Sequence, residues 1–214
     1  MTRQTHLLLG LTSVGRAGRV MAIAITYGAA LVLSPTFMAT PLGGATPPAQ
    51  ASAADTQTLA DFQRRVEEYA ALHRKVEGGL PRVPTRATPQ EIDAGQQALS
   101  RGIANARAGA TVGDVFGPEI QVYLRRVLER AFSGADGKQL RASILDENPI
   151  GASVRVNGPY PDAIPLSTMP PKVLEALPKL PDELEFRFVG ERLILFDHHA
   201  HLIVDYVDRA LPKV

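Results

Sequence analysis

Leu184–Val207 constrains the fold most, because its alternation fits a compact three-stranded antiparallel meander. Leu184, Phe186 and Phe188 alternate with Glu185 and Arg187, the two-residue period of a strand with one buried and one wet face. Gly190-Glu191 follows, and a Gly-X pair between two such runs suits a type II′ hairpin, since glycine takes the positive φ at the first turn position without steric cost. That turn sets Val189 opposite Arg192, Phe188 opposite Leu193 and Phe186 opposite Leu195. Arg192–Phe196 is apolar on both faces and is therefore the central strand.

Leu202–Val207 is the third strand. With Asp197 opposite Leu202, Leu195 meets Val204 and Leu193 meets Tyr206, in one layer with Phe186 and Phe188. A slip of one residue brings Asp205 into that layer, which the cost of burying an unpaired carboxylate opposes. Ile194, Phe196 and Ile203 form the other face; if nothing in the chain covers them, they are a partner surface.

Upstream the period changes to that of helices. Leu59, Phe62, Val66, Tyr69, His73 and Val76 recur every three or four residues, between a start at Thr58 and a stop at Gly78-Gly79. His73 lies on this seam and reads as a half-buried packing residue with one satisfied nitrogen. Thr88-Pro89-Gln90-Glu91 combines a capping hydroxyl, a proline at the first helical position and a capping-box acid, and opens a helix whose inward stripe is Ile92, Leu99, Ile103 and Ala106. Gly117-Pro118-Glu119 opens a third helix, with Ile120, Tyr123, Leu124, Val127, Leu128, Ala131 and Phe132 inward and Arg125, Arg126, Glu129 and Arg130 on a solvated outer face. A short helix over 136–146, a strand over Ser153–Asn157 and a short helix from Pro170-Pro171 through Leu177 complete the reading. The fold class is α+β: an N-terminal bundle of three to four helices, residues 54–149, followed by a small antiparallel meander with a short helix, residues 150–214.

Residues 1–53 read as a signal peptide with a processing and tether segment. Arg3, Arg16 and Arg19 precede the apolar run Val20–Leu33, and small residues spaced Ala-x-Ala around Ala51 and Ala53 offer cleavage sites. The alternative is an inner-membrane anchor through residues 20–39. Three of the 23 basic side chains and none of the 22 acidic ones lie in residues 1–54, so the remainder carries 20 against 22, net −2. That balance has no electrostatic footprint for nucleic acid or an anionic membrane. An exported chain without cysteine must be held by packing alone.

Nucleotide-binding, serine-hydrolase, zinc-protease and dithiol motifs are absent. The stretch with chemical content is Asp197-His198-His199-Ala200-His201, which holds three of the five histidines. In the expected register His198 faces His201 with Cβ atoms about 5 Å apart, and His199 or Asp197 can supply a third ligand to a divalent transition metal. The competing account is a solvated turn.

Two stretches carry a resemblance. Gly113–Glu119 running into Arg125-Arg126, and Leu184–Asp208 with its Arg187-Phe188-Val189-Gly190 turn, resemble exported bacterial proteins of unassigned function. The final strand-turn-strand is similar to the C-terminal hairpin of small periplasmic nickel/cobalt-homeostasis proteins. The first likeness implies export and a helix-plus-meander architecture, and no activity. The expectation is therefore a non-enzymatic exported envelope protein that binds an envelope partner, with periplasmic divalent-metal binding at residues 197–201 as the alternative.

Overall fold

The computed structural model describes residues 52–147, 151, 153–161, 164, 165 and 169–213; the expected leader and its anchor alternative lie outside them. The described residues belong to one compact unit, Pro47–Val214. Among the described residues, five helices and four strands follow in the order α1 (Ala53–Gly78), α2 (Pro89–Ala106), α3 (Pro118–Phe132), α4 (Gly137–Glu147), β1 (Gly158–Pro159), α5 (Pro171–Ala176), β2 (Leu184–Val189), β3 (Arg192–Asp197) and β4 (Leu202–Val207). This is an α+β fold, helices first and meander last. Among the described residues no helix is long and apolar enough to cross a membrane.

Local chemistry explains the helix ends. At α2, Thr88 and Glu91 make the full reciprocal capping box ahead of Pro89. α1 starts five residues before the expected Thr58, because the Ser52 hydroxyl accepts the Asp55 amide and caps it there. Ile92, expected in the buried stripe of α2, is 53% exposed; Leu99 and Ile103 alone form the buried stripe.

All four strands form one antiparallel sheet in the order β1-β4-β3-β2. The β2–β3 register is the expected one, with Phe186 opposite Leu195 and Phe188 opposite Leu193, and Gly190 takes φ 58° at the turn. The β3–β4 register begins as expected, with Asp197 opposite Leu202, and then departs from it. A bulge after Phe196–Ile203 skips Val204, so Leu195 faces Asp205, Ile194 faces Tyr206 and Leu193 faces Val207. Val204 belongs to the helix-side core, and Asp205 accepts the amides of Gly113, Val115 and Phe116 from the loop before α3. The objection to burying Asp205 assumed an unpaired carboxylate, and this one is paired.

The fourth strand also differs. Ser153–Asn157 is not a strand; Asn157 adopts φ 57° in a turn closed by the Gly158 amide on the Arg155 carbonyl, and the two residues that pair with β4 are Gly158 and Pro159.

The sheet separates two apolar layers. The larger packs all five helices on one face, with Phe62, Phe116 and Phe186 stacked at centroid distances of 5.7 and 6.2 Å. On the other, Ile194, Phe196 and Ile203 are all buried beneath Tyr160 and Ile164. Tyr160 meets Phe196 at 5.1 Å and the Arg187 guanidinium lies 5.7 Å from the same ring. These three residues are therefore core, not an open partner surface: Tyr160 and Ile164 cover them.

Candidate metal site

The site grows from two residues one turn apart on α1. Tyr69 and His73 are spaced i,i+4, so both side chains leave the same face of the helix. Both reach Asp197 at the end of β3: the Tyr69 hydroxyl donates to Oδ2 at 2.7 Å and His73 Nδ1 lies 2.6 Å from the same oxygen. Oδ1 accepts the Ala200 amide at 2.8 Å, which pins the β3–β4 loop. Tyr69, His73 and Asp197 are all buried.

Burial acts to raise the Asp197 pKa, but the bonds from His73, Tyr69 and Ala200 outweigh it and hold the carboxyl below the usual carboxylate range. For His73, burial opposes the charged ring, yet the bond to Asp197, its charge, and the charges of Glu77 and Glu183 carry the imidazole above its ordinary value. Tyr69 is pushed far up by burial and by the Asp197 charge, so it stays a neutral donor.

A carboxylate only accepts, so Nδ1 of His73 carries the shared hydrogen and the neutral ring has its lone pair on Nε2. That Nε2 is buried and has no hydrogen-bond partner. It lies 3.7 Å from Glu77 Oε2, and Glu77 Oε1 in turn lies 3.7 Å from His199 Nδ1. The His73 and His199 rings are 5.3 Å apart. One ligand atom from each of His73, Glu77 and His199 lies within 4.8 Å of the others. A tetrahedral zinc ion with bonds near 2 Å holds its ligand atoms about 3.3 Å apart, so the two exposed side chains need only modest rotation to share one ion.

Of the four residues expected to hold metal, the structure brings only His199 into this group. Asp197 stands behind His73 rather than beside His199. His198 turns away, its Nε2 2.7 Å from the Asp182 carbonyl. His201, at φ 51°, lies against Phe196 and Tyr160 of the opposite layer at 5.4 and 5.7 Å. In the four-residue loop His198–His201 between β3 and β4, the two rings thus have different neighbours, and His201 takes the left-handed conformation.

The sequence reads His73 as a packing residue rather than a ligand and gives Glu77 no role. The available signal was their i,i+4 spacing on α1; what could not be read was the contact between His73 and Asp197, 124 residues apart. Comparison with protein-family models, curated proteins and solved structures finds no match to this chain.

Proposed function

We propose that this protein is an exported, non-enzymatic binding module of the cell envelope whose bound species is a divalent transition metal of the zinc class. His73 Nε2, Glu77 and His199 are the ligands, and Asp197 fixes the His73 tautomer from behind. The observation that carries the reading is the buried, partnerless Nε2 of His73, aimed at Glu77 and His199 while Nδ1 is held by Asp197. A buried imidazole with one nitrogen anchored on a carboxylate and the other free is the arrangement metal-ligating histidines adopt. Two imidazoles with one carboxylate favour Zn²⁺, Ni²⁺, Co²⁺ or Cu²⁺ over Ca²⁺ and Mg²⁺, which prefer all-oxygen sets.

The test is calorimetric titration of the protein with these ions, alongside Glu77→Ala and His199→Ala. Both side chains are about half exposed, so the fold should tolerate their loss. Micromolar or tighter binding that both substitutions abolish supports the site. Binding that survives them and disappears in a His198→Ala/His201→Ala protein returns the metal to the hairpin alone, and no binding refutes the reading.

Export rests on the basic N-region, the apolar run Val20–Leu33 and the Ala-x-Ala sites. Cleavage after Ala51 keeps Ser52, the cap of α1, whereas cleavage after Ala53 removes it. We therefore place the mature N-terminus at Ser52, to be checked by terminal sequencing of the exported protein.

A further inference from the structure

Beside this site lies an open cleft of about 970 Å³. Glu77 and His199 form part of its wall, while His73 lies behind them and is buried. An ion held by all three therefore has protein on the His73 side, and its remaining coordination position faces the cleft.

The cleft is apolar over most of its lining and cationic at one point. Leu80 and Val83, from the connector after α1, line it together with Ile92 and Leu99 of α2. Val83 and Ile92 are two of the five large hydrophobic side chains left exposed among the described residues, at 47% and 53%. The connector packs closely on α2 at one point, where a Cβ on Gly95 would stand 2.7 Å from the Val83 methyl. Arg82 stands at the same cleft and makes no ion pair among the described residues, whereas Arg74 is already engaged by Glu183 at 2.8 Å. Glu77 beside a divalent ion and Asp197 behind His73 balance its charge, so Arg82 is the uncompensated cation at this end of the cleft, and the ion still offers an anion its open position.

We infer that the cleft binds a small aliphatic carboxylate, its head completing the coordination of the metal beside Arg82 and its chain lying between Val83 and Ile92. The inference rests on the metal reading and names the ligand of that same site. An anion matches the charge at the metal end, and a hydrocarbon chain covers side chains that otherwise stay in water. Neither half accounts for both ends of the cleft by itself.

The test uses the full chain loaded with Co²⁺, whose visible spectrum reports any change at the open coordination position. Acetate, octanoate and octanol are titrated in parallel. Octanoate should shift the spectrum at a concentration at least about 30-fold below acetate, as expected when its six additional methylenes are about half buried. Octanol should leave the spectrum unchanged. Ile92→Glu, at an exposed position, should erase the preference for octanoate and leave the spectrum of the bound Co²⁺ as it was. Equal potency of acetate and octanoate, no spectral response to either, or equally tight octanoate binding to the metal-free protein overturns the inference while metal binding stands. Failure to take up Co²⁺ removes the metal reading and this inference with it.

Discussion

Asp205→Ala should be among the most damaging single changes in this fold, and its cost can be worked from the bonds it removes. The carboxylate accepts the amides of Gly113 at 3.0 Å, Val115 at 2.9 Å, Phe116 at 2.8 Å and Tyr206 at 2.8 Å. Val115 and Phe116 are 4% and 0% exposed, so without the carboxylate their amides have neither acceptor nor water. An orphaned buried amide costs about 1–3 kcal/mol, so these two set the loss at about 4 kcal/mol. The Gly113 and Tyr206 amides are only part-buried and add less, and the release of a buried charge returns some of it. Asp205→Asn keeps one acceptor oxygen but turns a donating amide group toward the remaining N–H groups; about 2 kcal/mol is expected. Urea denaturation followed by circular dichroism reads both: with a slope of about 2 kcal/mol per molar, the alanine midpoint falls by about 2 M. A fall of less than about 0.5 M would mean that the loop before α3 does not depend on this carboxylate, and the account of the bulge would fail with it.

Three further outcomes follow from the site and the helix joints. Asp197→Asn removes the anion that holds the His73 tautomer, and zinc affinity should fall about 10- to 100-fold in a calorimetric titration; an unchanged affinity would show that the ligand needs no support from behind. Protons and metal compete for His73 Nε2, whose affinity for protons is raised chiefly by Asp197 against the opposing effect of burial, so metal affinity should weaken markedly from about pH 8 to about pH 6 with proton release on binding. In the metal-free protein the sign reverses: the raised His73 value favours the folded state below the ordinary histidine range, and that contribution is lost as pH rises through the raised value. Equal metal affinity at both pH values would exclude His73 as a ligand. Gly137→Ala places a Cβ 1.8 Å from the Phe132 carbonyl oxygen, a backbone atom that cannot swing aside, and should cost at least about 2 kcal/mol in thermal denaturation. Gly78→Ala, with nothing within 4 Å, is the control that should cost nothing.

The features legible in the sequence are those whose causes lie within a few residues of each other. The Thr88–Glu91 capping box and the Gly190 turn each satisfy backbone groups inside one short window, and the Phe186–Leu195 pairing follows from the turn by counting. Ser52 was equally local, but it fell within the segment read as leader, so its capping role went unused. Ile92 satisfies the helical period yet faces the cleft, because periodicity identifies an apolar face and cannot say whether another element arrives to cover it. The remaining departures concern carboxylates. Burial cost alone sets Asp205 outside the core, and Asp197 reads as a metal ligand or a turn residue; both are fully buried, since each gathers donors from a segment roughly 90 or more residues away. Asp205 takes up the free amides of the loop before α3, and the bulge that turns it inward is stabilised by those bonds rather than by the apolar pattern of β4. Asp197 has a second consequence. By holding Nδ1 of His73 it leaves Nε2 without a partner in the interior, a cost that packing alone does not recover and that a metal ion beside Glu77 and His199 would.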